Sequence, residues 1–179
     1  MRRRTAIAYW LIPAEPAHRY FRRLICDLAC RHDAPVFEPH LTLHVAACRA
    51  DVAERALSEA ARDCERVRLK ALGINHSGEF TKTLFVQFEL SKKLRRLNEI
   101  IRGAVGDSFR YELKPHLSLL YKKAPLSTRR LLARSIELPF STVIFDSLKA
   151  VRCTAPTQSR ADVEAWRVVA AKRMSQRQF

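Results

Sequence analysis

The chain has 179 residues, 47% of them hydrophobic, which suits one well-cored domain and argues against disorder. A formal charge of +15 concentrates phosphates around a protein and fits a nucleotide or RNA ligand, although a basic surface also serves solubility alone. Five cysteines, odd in number and without a Cys-x-x-Cys pair, suggest neither a disulfide framework nor a zinc ribbon and suit a reducing cytoplasm.

Met1-Arg-Arg-Arg4 resembles the start of a signal peptide, but the apolar run Thr5 to Ile12 is short and closes at Pro13 without a small-residue cleavage site. No later run is long enough to cross a bilayer, so a soluble, cytoplasmic protein with no membrane contact is expected. Thr5 to Ile12 reads as a buried strand. Pro16 opens a helix carrying Tyr20, Phe21, Leu24, Ile25 and Leu28 to about Cys30. His40 to Ala47 alternates as a strand, with Leu41, Leu43 and Val45 on one face and His40, Thr42 and His44 on the other.

Asp51 is placed as the N-cap of a helix running to about Glu65. Strands are expected over Val67 to Ile74 and Lys82 to Leu90, joined by Asn75-His-Ser-Gly78, and Ser91 caps the next helix. Ser127 begins a helix with Leu131, Leu132 and Ile136, and a closing strand runs from about Glu164 to Ala171.

The second half echoes the first. Pro115-His-Leu-Ser-Leu119 repeats Pro39-His-Leu-Thr-Leu43, and Leu148-Lys-Ala-Val151 repeats Leu69-Lys-Ala-Leu72. Ser127 follows His116 by eleven residues, as Asp51 follows His40. Each half thus runs strand, helix, strand, strand, which suggests duplication into two lobes related by an approximate two-fold axis, with equivalent residues facing across a cleft.

Residues two apart on a strand point the same way, so His40 with Thr42, and His116 with Ser118, present an imidazole and a hydroxyl to one face. Two groups near neutral pKa and two hydroxyl donors are what hydrolysis of a cyclic phosphodiester needs, with no metal or cofactor required. One such motif alone is a chance tripeptide; two in a repeated context are not. His40-x-x-x-His44 has metal-ligand spacing only on a helix, and the strand pattern argues against it. His44 reads as a structural histidine, and His18, His32 and His76 as surface or loop residues.

Tyr121 lies on the parity opposite His116 and reaches the cleft only if the strand ends or bulges there. Trp10 suits either base stacking or the core, and Trp166 reads as core. Among the basic clusters, which begin with Arg2 to Arg4, Lys122-Lys123 are best placed to meet substrate phosphate.

At these paired motifs, Pro39 to Leu43 and Pro115 to Tyr121, the sequence resembles the two-histidine (2H) phosphoesterase superfamily, and most of all the cyclic phosphodiesterases of plants and yeast. The likeness extends to Tyr9-Trp-Leu-Ile-Pro13, Phe37 to Thr42 and the stretch around Trp166. It implies a single α+β domain over residues 1–179, bilobal, with antiparallel sheets lining a central cleft. It further implies His40 and His116 as the acid–base pair, Thr42 and Ser118 on the phosphate, and ligand contacts from Tyr121 and Trp10. The implied substrates are nucleoside 2′,3′-cyclic phosphates or ADP-ribose 1″,2″-cyclic phosphate, turned over by a monomer. The +15 charge is not part of the resemblance and leaves open RNA ends, as in RNA end-processing or 2′–5′ RNA ligase-like proteins, or a non-catalytic RNA- or phosphate-binding module.

Overall fold

The computed structural model describes residues 3–175. The apolar run near the start forms β1 (Arg4–Pro13), in which every residue from Ala6 onward is buried. Its two faces serve different ends. Ile7, Tyr9 and Leu11 enter the main core, whereas Ala8, Trp10 and Ile12 form a smaller cluster with Val151.

The chain continues through α1 (Ala17–His32), β2 (Leu41–Ala46), α2 (Ala50–Asp63) and β3 (Val67–His76). A 3₁₀ turn, Phe80–Lys82, leads into β4 (Leu84–Phe88), α3 (Lys92–Val105), β5 (His116–Leu120), α4 (Leu126–Ser135) and β6 (Thr142–Ala155). A short α5 (Arg160–Glu164) precedes β7 (Arg167–Arg173). Each half is therefore strand, helix, strand, helix, strand, with β7 added at the end.

The strand order is β1-β2-β5-β4-β3-β6-β7, and all neighbours are antiparallel. Strand β1 also pairs with β6, so the first six strands close into a ring. Two lobes result. One holds β2, β1, the later part of β6, and β7; the other holds β5, β4, β3 and the start of β6, which meets β3 over Thr142 to Phe145. Helices α2 and α3 pack on the first lobe through β6, β7 and β2, while α1 and α4 pack on β5, β3 and β4 of the second.

The sequence halves are therefore not the lobes. Strand β3 of the first half pairs with β4 of the second, and β6 of the second pairs with β1 of the first. Helix α1 crosses to the second lobe and α3 crosses to the first. This exchange follows from the helices' apolar stripes: Phe21, Ile25 and Leu28 on α1, and Leu94, Leu97 and Ile101 on α3, are buried in one shared core.

The lobes meet on the cleft side through one residue pair, Leu41 opposite Leu117. Both side chains are fully buried. Because β2 and β5 run antiparallel, this pair sits at the centre of the two-fold relation between the repeated motifs.

Local corrections have local causes. Arg49, not Asp51, occupies the N-cap of α2; Asp51 lies in the first turn, where its carboxylate accepts from Arg49 Nε at 3.0 Å and complements the helix dipole. Ser91 does cap α3, accepting from the Leu94 amide at 3.1 Å. The closing strand starts at Arg167 rather than Glu164, because Ser159 and Asp162 form a capping box that winds the preceding residues into α5. Gly73 has φ +123° at the irregularity where β3 slips against β4, a conformation other residues rarely adopt.

Truncating the central pair tests this description. Leu117→Ala is expected to cost about 2–5 kcal/mol in urea unfolding, as for other fully buried leucines. A cost below about 1 kcal/mol would show that the lobes are not clamped at this point.

Candidate active site

His40 stands immediately before β2, and His116 is the first residue of β5. Extending the Leu41–Leu117 register by one residue each way sets His40 beside Ser118 and Thr42 beside His116. Both imidazoles line one cleft of about 340 Å³.

Their hydrogen bonding is duplicated as well. The Nδ1 of His40 donates to the carbonyl of Glu38 at 2.6 Å, and the Nδ1 of His116 donates to the carbonyl of Lys114, also at 2.6 Å. A carbonyl only accepts, so Nδ1 carries the proton in both rings and Nε2 is left for the cleft. The backbone two residues upstream of each histidine thus fixes tautomer and ring orientation together.

Aromatic rings surround His40. The Trp10 indole stacks on it with ring centroids 3.7 Å apart and planes 12° from parallel, and Trp166 meets it edge-on at 5.9 Å. Phe37 stacks on Tyr121 at 3.9 Å and turns its edge to His40 at 6.2 Å. Burial drives the His40 pKa down to about 3, opposed by the Glu38 carbonyl and reinforced by the neighbouring His116. His116 is also lowered by burial, less completely enclosed; its Lys114 carbonyl and Glu79 raise it, and Lys82 lowers it further.

Thr42 lines the cleft beside the histidines, while its carbonyl accepts from the Tyr111 hydroxyl at 3.1 Å. Ser118 is buried and donates its hydroxyl to the carbonyl of Thr81 at 2.7 Å. Strand β5 ends at Leu120, so Tyr121 leaves the strand and turns into the cleft. Burial pushes its phenol pKa upward, against an opposing contribution from Ser118. Phe109 and Tyr111 line the cleft from the segment between α3 and β5.

His44 supports that segment. It is fully buried and donates from Nε2 to the Gly106 carbonyl at 2.8 Å, with Tyr111 edge-on to its ring at 6.0 Å. It uses the opposite ring nitrogen from the two cleft histidines, and it does not line the cleft. Among the described residues, no group of three or more His, Cys, Asp or Glu is arranged to hold a metal.

Residues 5–174 match the family described as cyclic phosphodiesterase-like protein. The chain belongs to that family. The family lies in the 2H phosphoesterase superfamily, and solved structures carry the same fold. TT0787 of Thermus thermophilus superimposes with a TM-score of 0.61 at 17% identity, over 94% of this chain and 97% of that one. LigT of E. coli, solved with 3′-AMP, gives 0.56 at 15% identity, over 96% of this chain and 99% of that one. No curated protein sequence matches the chain.

Within this cyclic phosphodiesterase-like chain, three sequence expectations change. Trp166 is half-buried: it packs against the core, as expected, but also lines the cleft. Lys122 does not face the cleft: its ammonium donates to the carbonyls of His32 and Asp33, satisfying the C-terminal end of α1. Lys82 ends a 3₁₀ turn instead of opening a strand, and that turn places it, with Glu79 and Thr81, on the cleft wall. Arg2 lies outside the described residues. No helix among them is long and apolar enough to cross a membrane.

Sequence reasoning missed Glu79, Phe109 and Tyr111 because they fall between periodic elements, and Lys82 because the alternation assigns it to the start of a strand. The one available signal was that both inter-element stretches lead directly into strands of the repeat.

The histidine environment predicts how stability varies with pH. The folded pKa of His40 lies below its ordinary 6.5, so the unfolded chain binds more protons between about pH 3 and pH 6.5, and stability rises with pH across that window. His116 contributes with the same sign. The melting temperature is expected to fall as pH drops from 7 to 5, and to fall less in His40→Gln. An identical pH dependence in that variant would contradict the burial described here.

Proposed function

We propose that this protein hydrolyses a cyclic phosphodiester to a phosphomonoester without a metal, using His40 and His116 as an acid–base pair. The observation that carries the reading is the duplicated Nδ1-to-carbonyl bond, which leaves two Nε2 atoms to one cleft. One neutral Nε2 takes a proton from water as the water oxygen bonds to phosphorus. The other, protonated, gives its proton to the ribose oxygen as the P–O bond breaks. Proton exchange with solvent then resets the pair.

A bound phosphate brings negative charge to the two rings, and it raises both imidazole pKa values toward the range where one is protonated. The indole face of Trp10 also favours that cation. Thr42 and, after rotation of its hydroxyl away from Thr81, Ser118 donate to the phosphoryl oxygens. Tyr121 and Trp10 bound the sugar and base. LigT, a protein of the same fold, has been solved with 3′-AMP, phosphate, ATP and NADP+, which supports a small phosphorylated ligand for this cleft too. Nucleoside 2′,3′-cyclic phosphates and ADP-ribose 1″,2″-cyclic phosphate fit the chemistry equally.

The +15 charge favours a second reading, in which the cyclic phosphate ends an RNA chain. Faster turnover of oligonucleotide than mononucleotide, falling steeply with salt, distinguishes it. Among the described residues that line the cleft, Lys82 is the sole lysine or arginine, so the small-substrate reading stands first.

The test is phosphorus NMR with 2′,3′-cyclic AMP and with ADP-ribose 1″,2″-cyclic phosphate in the presence of EDTA. Conversion to a monoester is expected, with a loss of about 10² to 10⁴-fold in His40→Ala and in His116→Ala. Near-wild-type turnover in either folded variant would remove the mechanism. Both histidine pKa values lie below 6.5 in the free protein. The base must be deprotonated and the acid protonated, so kcat/KM should peak on the acidic side of pH 6.5 and decline above it.

A further inference from the structure

Among the described residues Lys82 is the one lysine or arginine that lines the cleft, and acid–base chemistry does not use it. Its ammonium lies over the Phe85 ring, 4.9 Å from the centroid, and Phe85 meets the His116 ring edge-on at 5.5 Å. The ammonium also acts on His116, whose pKa it lowers. Among the described residues Lys82 Nζ has no hydrogen bond or ion pair. Glu79, one turn earlier, acts on His116 and on Lys114, and Lys114 itself pairs with Glu112 at 2.8 Å.

Charge balance makes this cation informative. A cyclic phosphodiester carries a single negative charge, and the one imidazolium that catalysis needs already matches it. Another positive charge aimed at the same phosphoryl group would disfavour that imidazolium, since like charges lower a histidine pKa. Lys82 is therefore a cation in surplus of what the reacting phosphate needs.

We propose that Lys82 forms an anion subsite that takes a second phosphate of the substrate, a phosphate ester or diphosphate joined to the ribose bearing the cyclic phosphate. The inference rests on the cyclic phosphodiester reading, and it names the substrate as a compound with at least two phosphates. Aliphatic ammonium and phosphate form a charge-assisted contact, strong enough for discrimination of about tenfold or more between ligands with and without the second group.

Binding separates this proposal from the catalytic one. Adenosine 2′-phosphate and adenosine 2′,5′-bisphosphate are titrated against the intrinsic fluorescence of Trp10 and Trp166, using the wild type, Lys82→Gln and Lys82→Arg. The wild type should prefer the bisphosphate by about tenfold or more, Lys82→Gln should bring the ratio near one, and Lys82→Arg should restore it. A wild-type ratio near one, or a ratio unchanged in Lys82→Gln, would overturn the subsite. These ratios need no turnover, so failure to hydrolyse cyclic phosphates would strike the proposed reaction and leave this result legible. The source of the second phosphate is read from kcat/KM in Lys82→Gln. A selective loss on ADP-ribose 1″,2″-cyclic phosphate indicates a diphosphate, and a selective loss on a dinucleotide ending in a 2′,3′-cyclic phosphate indicates an RNA end. A loss equal to that on 2′,3′-cyclic AMP would overturn the proposal.

Discussion

The contact of Leu41 with Leu117 holds the two lobes in register where the chemistry is placed. The ring of strands closes on the cleft side through this single buried pair. Each leucine is followed two residues later by another fully buried leucine, Leu43 and Leu119, so the hydrophobic face of each motif cannot turn outward. The opposite parity then has one place to go. His40, Thr42 and His116 come to line the cleft because their neighbours are committed to the core, and Ser118, of the same parity, is buried with its hydroxyl bonded to the Thr81 carbonyl.

Burial sets the chemical state of the site as well as its shape. Enclosing His40 with Trp10, Trp166 and Phe37 removes water from an ionisable ring, which costs stability at acidic pH and holds the imidazole neutral in the free protein. On the proposed function, a phosphate entering the cleft would reverse the balance, because in a water-poor site its charge acts strongly on both rings. That proposal couples uptake of a proton to binding of an anion. The backbone carbonyls of Glu38 and Lys114 stay bonded in either protonation state, so the rings need not reorient when the proton arrives.

Much of this was legible in the sequence because it is carried by periodicity and repetition. The alternation in His40 to Ala47 and the copied Pro-His-Leu motif gave the strands, the facing histidines and the pseudo-symmetry. Tyr121 was legible conditionally, since its parity was wrong unless β5 stopped, and β5 stops at Leu120. The exchange of helices and strands between lobes was not legible: a repeat specifies which elements correspond, whereas partner choice among strands depends on contacts distant in sequence. Lys82 was hidden by a boundary error of two residues, where a 3₁₀ turn stands in place of a strand end. Lys122 misled because adjacency to a motif along the chain is not adjacency in space; its side chain runs back to the end of α1.

The proposed chemistry requires both cleft histidines to be protonated at Nδ1 and to offer Nε2 to a common anion. Long-range proton–nitrogen NMR of ¹⁵N-histidine-labelled protein, with assignments from His40→Gln and His116→Gln, reads the tautomer of each ring directly. The structure predicts the Nδ1–H form for both rings in the free protein at pH 7.5, and a rise in both pKa values when inorganic phosphate is added. An Nε2–H tautomer at either ring, or pKa values unmoved by saturating phosphate, would contradict it.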